Sequence, residues 1–412
     1  MVVEFKNPKL GVIVPSIIII YLHLSTTYIM HFDSRISRNS EYLVQLFAFL
    51  IYLSYYLAIK TPPGTPPKNF KPPSYPKYET EKLFTPLSPK NVQAEEEEEE
   101  EEDQLDEDKF QCQHDQYKKT WIKFCVKCQN YKPERTHHCK RCQKCVLKMD
   151  HHCPWTNNCI GYENTPHFVR FLFWVIVGVG YIFKFYFFKI YHLYESRKLP
   201  AYLFPLESIT IWCLNLFLSF FILSTIIILF LRTIDELISN KTMIEDWELD
   251  RINDKFFDND FWISIRKNYH LIHGGEHFPN LKTWKINYRI LNKGTNVPLS
   301  FTFEDFVFPY DLGTSWLNLI DALGPIYFWL WPWGGPTGDG INFQLDSLNE
   351  DQLKLPFPPD GSDYDPINGK ISKFERDEDN EQVVHSIVWK NYLGETLNDF
   401  GVDLDTELYK AD

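Results

Sequence analysis

Four long apolar segments constrain this chain more than any other feature of its sequence. A helix needs about 20 mostly apolar residues to cross the hydrocarbon core of a bilayer. Four runs reach or approach that length: Leu10–Met30, Tyr42–Ile59, Phe168–Tyr194 and Ile209–Leu231. The third run contains Arg170, Lys184 and Lys189, so we expect a span centred on Phe171–Phe183, with the basic side chains near one end or facing the bundle. A single run could be a buried core helix, but four with charged flanks predict a multi-pass α-helical membrane protein with four transmembrane helices.

The sidedness of the chain follows from the number of spans. The first run could instead be a signal peptide, but it is too long for an ordinary h-region and lacks a clear small-residue cleavage site. An even number of spans places the N-terminus, residues 60–167 and the C-terminal region on one side of the membrane. Lysine and arginine are more frequent near the membrane ends on that side than in the two short loops, which favours a cytosolic location.

Cysteine usage identifies the most chemically informative segment. The chain has nine cysteines, and seven of them fall between Cys125 and Cys159, interleaved with histidines. Clustered Cys-x-x-Cys pairs are typical of zinc sites with four N or S ligands, whereas a secreted disulfide framework would spread its cysteines through a small domain. Six cysteines and two histidines suffice for two Cys3His sites, which leaves Cys153 over. A spare thiol next to His151, His152 and Asp150 is typical of an activated nucleophile. We assign no role to Cys112 or Cys213.

The remaining segments are hydrophilic. The net charge of −13 is uneven, because Glu95–Glu102 is an unbroken run of glutamates, and it disfavours a nucleic-acid partner. Residues 61–108, rich in proline and then in glutamate, predict a disordered, extended linker. Lys282–Leu291 and Leu299–Phe308 alternate apolar and polar residues around Asn292-Lys293-Gly294, which predicts a hairpin.

Two later segments interrupt the acidic C-terminal region. Leu317–Trp333 is aromatic-rich but too frequently broken by proline and glycine for another span, so we expect it to pack on the bundle or lie at the bilayer interface. Val388–Phe400 predicts a short ordered piece within the tail. The predicted division of the chain is transmembrane helices 1 and 2 in 1–60, a linker in 61–118, a cysteine-rich domain in 119–167, transmembrane helices 3 and 4 in 168–231, and a small mixed C-terminal region in 232–412 with an aromatic-rich segment at 306–333.

The cysteine-rich segment resembles a known family. The residues that carry the resemblance are Cys125-x2-Cys128, Pro133-x-Arg135, His138-Cys139-x2-Cys142-x2-Cys145, Asp150-His151-His152-Cys153-Pro154-Trp155, Asn158-Cys159 and Gly161-x2-Asn164. They match, over about 50 residues, the cysteine-rich domain of the DHHC protein S-acyltransferases, whose spans have the same two-plus-two arrangement. Phe308–Gly313, Asn318, Leu323-Gly324 and Asp399–Asp403 are most similar to the fungal endoplasmic-reticulum branch of that family.

The resemblance implies a function and a set of roles. It implies a protein S-palmitoyltransferase of the endoplasmic-reticulum membrane, with its N-terminus, zinc domain and C-terminus in the cytosol. It transfers a long-chain acyl group from acyl-CoA to Cys153 and then to cysteines of membrane-associated proteins. His151 would be the base and Asp150 its orienting partner. Two structural zinc ions would be held by Cys125, Cys128, His138 and Cys145, and by Cys139, Cys142, His152 and Cys159. Lys132, Arg135 and Lys148 are candidates for binding the CoA phosphates, with ordinary surface charge as the alternative reading.

Two positions depart from the family pattern. Met243 replaces the second threonine of a Thr-Thr-x-Glu motif, which puts contacts near the active site in question. Phe308 replaces an asparagine, so a polar anchor is expected to be missing, while Asn318 is expected to tie the C-terminal segment to the core.

Two other functions compete with this reading. In a membrane-anchored zinc scaffold, such as a RING-like ubiquitin-ligase adaptor, Cys153 would be idle, although RING ligands interleave over longer spacings. A zinc hydrolase is disfavoured because the chain has no His-Glu-x-x-His motif and both inferred metal sites are closed.

Overall fold

Four long helices form the main body of the protein. The computed structural model describes residues 9–33, 36–70, 124–125, 127–198, 200, 206–255, 308, 310–344, 364–365, 369–370 and 389–403. The long helices are α1 Lys9–Phe32, α2 Arg38–Lys60, α3 Thr165–Glu195 and α4 Leu206–Ile238. Each is long and apolar enough to cross a membrane, which confirms the predicted four-span architecture.

Helix α3 is the centre of the bundle. It packs against both α2 and α4, and α1 packs against α2 and α4. Gly178 allows the close approach of α2, because a Cβ at this position would lie 2.8 Å from Cδ1 of Ile51. Phe217 and Ile228 of α4 are largely exposed on the outside of the bundle, as expected of side chains that face lipid.

The three basic residues of the third run lie within α3, which is longer than the span centred on Phe171–Phe183. Arg170 is buried and donates hydrogen bonds to backbone carbonyls of residues 328–334. Lys189 forms an ion pair with Asp33 at the end of α1, and Lys184 is exposed. Arg170 and Lys189 therefore meet the prediction that basic side chains lie near an end or face the bundle.

The segment between α2 and α3 folds as three small hairpins. Their strands are β1 Phe124–Cys125 with β2 Asn130–Tyr131, β3 His137–Cys139 with β4 Lys144–Val146, and β5 His151–Cys153 with β6 Asn158–Ile160. All three pairs are antiparallel; in the third, His151 faces Ile160 and Cys153 faces Asn158. Strands of two or three residues cannot stabilise themselves, so the cysteine–histidine clusters must stabilise this domain.

Asn158 fixes the hairpin domain to the end of α2. Its side-chain amide donates to the backbone carbonyls of Ala58, Ile59 and Thr61, the last at 2.9 Å. The last carbonyls of a helix have no partner within the helix, so this amide supplies a C-terminal cap from another domain. The same part of the domain is held by Tyr55, whose hydroxyl donates to the carbonyl of Trp155 at 2.7 Å.

Smaller elements follow α4. These are helix α5 Met243–Lys255, helix α6 Ser315–Leu323, a 3-10 helix Ile326–Phe328, and the two-stranded pair β7 Tyr364–Asp365 and β8 Gly369–Lys370. Helix α6 packs on α3 and α4. Part of the aromatic-rich segment therefore packs on the bundle, which is one of the two arrangements that the sequence predicted. Residues 389–403, which include most of the predicted ordered piece, lie on the hairpin domain. The predicted hairpin at Lys282–Leu291 and Leu299–Phe308 lies outside the described residues except for Phe308, as does the linker beyond residue 70.

Candidate active site

The three hairpins bring the predicted ligands together as two separate clusters. Cys125, Cys128, His138 and Cys145 form the first cluster. Cys139, Cys142, His152 and Cys159 form the second cluster. In each cluster the candidate ligand atoms lie within 4.8 Å of one another. The grouping is the one that the resemblance implied.

The geometry of both clusters fits zinc. Zn–S bonds of about 2.3 Å and Zn–N bonds of about 2.0 Å in a tetrahedron place S and N atoms roughly 3.5 Å apart. In the first cluster Nδ1 of His138 lies 3.3 Å from two of the sulfurs and 3.8 Å from the third. In the second cluster Nδ1 of His152 lies 3.4–3.6 Å from its three sulfurs. With three sulfurs and one nitrogen, each cluster is a complete ligand set that leaves no open position, which is typical of structural zinc.

Cys153 lies in a turn that repeats the local geometry of the two metal-binding turns. In those turns the backbone N–H of Cys128 donates to Sγ of Cys125, and that of Cys142 to Sγ of Cys139, each at 3.3 Å. The third turn has the same spacing, with Thr156 three residues after Cys153; the Thr156 hydroxyl donates to the Cys153 carbonyl at 3.3 Å, and Thr156 contributes to lowering the pKa of the thiol. The residue after each turn has a positive φ: Gln129, Gln143 and Asn157. Cys153 therefore occupies a metal-binding type of turn without being part of either cluster.

Asp150, His151 and Cys153 form one connected chain on and beside β5. Nδ1 of His151 lies 2.9 Å from Oδ2 of Asp150, and the imidazole also hydrogen-bonds the thiol of Cys153. Because Asp150 occupies Nδ1, the contact with Cys153 is left to the other ring nitrogen. This is the nucleophile, base and orienting-group order of covalent catalysts.

The charges of the pair favour ionisation of Cys153. Burial opposes the charged form of His151, but the hydrogen bond with Asp150 and the contact with Cys153 outweigh it and raise the pKa of His151 to about 10. Burial likewise raises the pKa of Cys153, but the hydrogen bond and charge of His151, together with Thr156, bring that pKa below its ordinary value. Both shifts favour a thiolate on Cys153 beside an imidazolium on His151.

The start of α5 holds Asp150 from the opposite side. The backbone N–H of Met243 donates to Oδ1 of Asp150 at 2.7 Å, so the departure from threonine at this position leaves a main-chain contact with the site intact. Thr242 and Glu245 cap the helix reciprocally: the N–H of Thr242 donates to Glu245 at 3.0 Å, and the N–H of Glu245 donates to the Thr242 hydroxyl at 3.2 Å. The Thr-x-x-Glu pattern therefore builds the helix terminus that orients Asp150.

Glu245 also pairs with Arg135, one of the three predicted phosphate-binding residues. The guanidinium and carboxylate make two hydrogen bonds, of 2.5 and 2.6 Å, and the Arg135 side chain is 1% exposed. Phe308 and Tyr310 lie against the guanidinium, with ring centroids 5.7 and 4.5 Å away. At position 308, where a polar anchor was expected to be missing, an aromatic ring covers a buried cation.

Lys148 and Lys132 are buried as well. The ammonium of Lys148 donates to Oδ1 of Asn240 at 2.6 Å, and burial together with Arg135 lowers its pKa to about 7. Lys132 lies near Cys125, whose pKa is lowered chiefly by the hydrogen bond with Cys145 and also by the charge of Lys132. These contacts do not test CoA binding, which stays a prediction for all three residues.

Asn318 makes the contact that was predicted for it. Its side-chain amide donates to the carbonyl of Ile238, the last residue of α4, at 2.7 Å, and its Oδ1 accepts from the N–H of Leu312 at 2.9 Å. The buried amide therefore joins the C-terminal segment to the end of the helix bundle.

A small apolar cavity lies between the long helices. Its volume is about 50 Å³, well below the roughly 300–1,000 Å³ that is usual for ligand sites. All four long helices line it, and Ile51, Val175 and Val179 belong both to its wall and to the apolar cluster that contains Cys153. The thiol is 3% exposed and faces apolar surroundings that continue into the membrane region.

Sequence reasoning missed two residues of the site. Thr156 supports the thiol of Cys153, and the only sequence signal for it is the spacing that it shares with the second cysteine of each metal-binding turn. Tyr55 stacks on Phe171 with ring centroids 4.7 Å apart, and its hydroxyl donates to the carbonyl of Trp155, two residues after Cys153. No local pattern in α2 distinguishes Tyr55 from the other tyrosines of that helix.

Comparisons with known proteins agree with this geometry. A family model described as "DHHC palmitoyltransferase" matches residues 118–250. Proteins named "Palmitoyltransferase PFA4" are similar over nearly the whole chain. The one from Debaryomyces hansenii is 39% identical over 99% of this chain and 96% of its own length, and the one from Candida albicans is 36% identical over 99% and 100%. The one from Saccharomyces cerevisiae is 33% identical, again over 99% of this chain and 100% of its own length.

Proposed function

The chain belongs to the DHHC palmitoyltransferase family and is a protein S-palmitoyltransferase, and from this premise we propose that Cys153 carries the acyl group between donor and acceptor. The observation that carries the proposal is the Asp150–His151–Cys153 chain, which lies outside both cysteine–histidine clusters and whose thiol packs in an apolar cluster.

The reaction has two steps. In the first, the Cys153 thiolate attacks the thioester carbonyl of acyl-CoA, the C–S bond to CoA breaks, and the CoA thiolate leaves with the proton of the His151 imidazolium. In the second, neutral His151 accepts the proton of a substrate cysteine thiol, and the resulting thiolate attacks the Cys153 thioester. Cys153 leaves as a thiolate. One thioester replaces another in both steps, so positioning and thiol activation account for most of the catalysis.

The remaining parts of the site have supporting roles. The hydrocarbon chain of palmitoyl-CoA would enter along the apolar lining of the cavity, which shares residues with the surroundings of Cys153, and the helices would move apart because the cavity of about 50 Å³ is much smaller than the chain. Structural zinc in the two clusters would fold the hairpin domain and would not take part in the reaction. His152, adjacent to the proposed base, would then be a neutral zinc ligand whose Nδ1 lone pair is occupied by the metal.

Lys132, Arg135 and Lys148 remain candidates for the CoA phosphates. Arg135 would have to give up a buried pair with Glu245, and breaking such a pair costs about 3–5 kcal/mol, so its present contacts favour a structural role. Lys148 donates to the neutral Asn240 at 2.6 Å and lies 3.8 Å from Oδ2 of Asp321, a longer ion pair than that of Arg135 with Glu245, so it is the less costly of these two to redirect. A raised KM for palmitoyl-CoA with little change in kcat in Lys148→Met would support phosphate binding by this residue.

We place the chain in the endoplasmic-reticulum membrane with its N-terminus, hairpin domain and C-terminal region in the cytosol. The distribution of lysine and arginine and the suitability of the reducing cytosol for thiolate metal sites support this orientation. The similarity to the fungal endoplasmic-reticulum branch supports the compartment. The acceptors would be membrane-associated proteins with cysteines on the cytosolic face.

Incubation of the purified chain with labelled palmitoyl-CoA tests the function. The chain should take up label, hydroxylamine should release it as expected of a thioester, and Cys153→Ser should take up none. Cys213→Ser is the matched control, because Cys213 lies in α4 away from both clusters, and it should label normally. An idle Cys153 in a zinc scaffold would leave the parent chain unlabelled.

A further inference from the structure

Residues 389–403, here called the C-terminal strap, lie directly on the strands that carry the metal-cluster histidines. The N–H of His152 donates to the carbonyl of Phe400 at 2.8 Å, and the N–H of Lys140 to that of Gly401 at 3.0 Å. The N–H of Asp403 donates in turn to the carbonyl of His138 at 2.9 Å. These bonds and the antiparallel bridge between Cys139 and Val402 make the strap an added strand across the hairpin domain.

Gly401 is the point of closest approach. Its φ of +88° is in the left-handed region, and a Cβ at this position would lie 2.7 Å from Cβ of His152 and 3.7 Å from Sγ of Cys139. Both neighbours belong to the second cluster. Only glycine combines this backbone conformation with this lack of space.

The strap also reaches the helix that holds Asp150. The indole N–H of Trp247 in α5 donates to the carbonyl of Glu395 at 2.8 Å, and Trp247 packs edge-to-face on Trp389 with ring centroids 4.9 Å apart. Leu397 and Val402 are buried in one apolar cluster with Trp247. The strap therefore joins α5 to the second cluster.

Strand β5 is held on both sides as a result. On one side it pairs with β6, and on the other the N–H of His152 is satisfied by the strap. His151 and Cys153 flank His152 in this three-residue strand, so any shift of its backbone moves the base and the nucleophile together. Without the strap, β5 would be an edge strand with an unpaired donor between the two reacting residues.

We propose that the C-terminal strap is a positioning element for acyl transfer, which completes the sheet at β5 and closes the second cysteine–histidine cluster. The reaction that it serves rests on the proposed function of Cys153. The strap could be removed and supplied again as a separate peptide, because it is held by backbone hydrogen bonds, a few side-chain bonds and a small set of buried apolar residues. Its own turns are pre-organised, since Oδ1 of Asn391 accepts from the N–H of Glu395 at 2.8 Å and Asp399 accepts from both the N–H and the hydroxyl of Thr396.

Truncation with rescue in trans tests the proposal. A chain ending at residue 388, purified in nanodiscs, should acylate Cys153 about 10–100-fold more slowly, the usual effect of losing groups that orient metal ligands. Half-saturation by palmitoyl-CoA should change little, because the strap does not line the cavity. A synthetic peptide of residues 389–404 should bind the truncated chain, measured by fluorescence anisotropy, and restore the rate. A Gly401→Val peptide should do neither, whereas a Tyr392→Ala peptide should act like the parent because Tyr392 is 88% exposed.

Two substitutions in the full-length chain keep the test decisive if the truncated chain does not fold. Gly401 and Gly394 both have positive φ, but a Cβ at Gly394 meets nothing within 4 Å. Gly401→Ala should slow acyl transfer and accelerate zinc release to a chelator, whereas Gly394→Ala should do neither.

Equal acylation rates and equal zinc release for the Gly401→Ala and Gly394→Ala chains would overturn the proposal, as would a truncated chain that acylates at the parent rate. Peptide binding that leaves the rate unchanged would also overturn it. If the parent chain formed no acyl-enzyme, the proposed function would fail instead, and zinc release and peptide binding would still decide whether the strap closes the cluster.

Discussion

Replacement of His151 by alanine tests how Cys153 is activated. In the native site the pKa of His151 is raised to about 10 and the pKa of Cys153 lies below its ordinary value, so the imidazolium favours the ionised thiol. Without the imidazole, an ordinary thiol of pKa about 8.5 is only about 3% ionised at pH 7. Burial of Cys153, no longer opposed by a cation, raises that pKa further. The single-turnover rate of acylation should therefore fall at least about 30-fold at pH 7.

The pH dependence of the two enzymes should differ in a defined direction. Parent acylation should rise less steeply than that of the variant from pH 7 to 8.5, because the pKa of Cys153 lies below its ordinary value and His151 still carries its proton. It should fall on the acid side as the thiolate is protonated. The variant should gain about 15-fold or more over the same interval, as an ordinary thiol goes from about 3% to half ionised.

Quenched-flow labelling with palmitoyl-CoA at each pH measures both effects. The variant should keep two equivalents of zinc, since His151 belongs to neither cluster. His192→Ala, a change at an exposed histidine near the other end of α3, should keep the parent rate and profile. A His151→Ala rate equal to that of the parent at pH 7, or a parallel pH profile, would refute a role of His151 in activating the thiol.

Three further predictions concern the metal, the fold and the topology. Cys153→Ser should retain two equivalents of zinc, whereas Cys125→Ser should lose metal and folding together; loss of a full equivalent from Cys153→Ser, measured by elemental analysis, would contradict the ligand assignment. Arg170→Ala should lower the thermal stability of the detergent-solubilised chain, because each buried carbonyl left without its donor costs about 1–3 kcal/mol, and Lys184→Ala is the control that should leave the melting temperature unchanged. An extended glycosylation sequon inserted at residues 197–205 should acquire an endoglycosidase-sensitive mass, whereas one inserted at residues 71–108 should not; a modified linker would place the cysteine-rich domain in the lumen.

Local spacing made much of this architecture predictable. The candidate zinc ligands lie within 35 residues and include close Cys-x-x-Cys pairs, so the sequence indicated two metal sites, and the family resemblance implied how the ligands are grouped. The four spans followed from length and hydropathy alone. The contact of Asn318 with the core was predicted from the family resemblance, and its amide donates to Ile238, the last residue of α4.

Contacts between distant backbone atoms could not be predicted in the same way. The backbone N–H of Met243 donates to Asp150, 93 positions away, and this bond does not depend on the side chain at position 243. The replacement of threonine by methionine therefore could not indicate that the contact is retained. The carbonyl of Phe400 bonds His152 although about 250 residues separate them, and the sequence near the tail indicated only an ordered piece. Arg135 was predicted as a candidate for the CoA phosphates, with ordinary surface charge as the alternative. Its buried pairing with Glu245 was not predicted, because Glu245 is 110 positions away.

The position of Cys153 within a zinc-binding domain has a physical explanation in the three repeated turns. A buried thiolate is costly unless hydrogen bonds or a cation compensate for lost hydration. A metal-binding turn already supplies a backbone N–H to its first sulfur, as Cys128 does for Cys125. In the third turn Thr156 replaces the second thiol, so Cys153 lacks the sulfur partner that each cluster has, and Thr156 and the charge of His151 lower the pKa of its thiol instead. Under the proposed function, the same local fold would therefore supply a structural ligand when a second cysteine is present and a nucleophile when it is not.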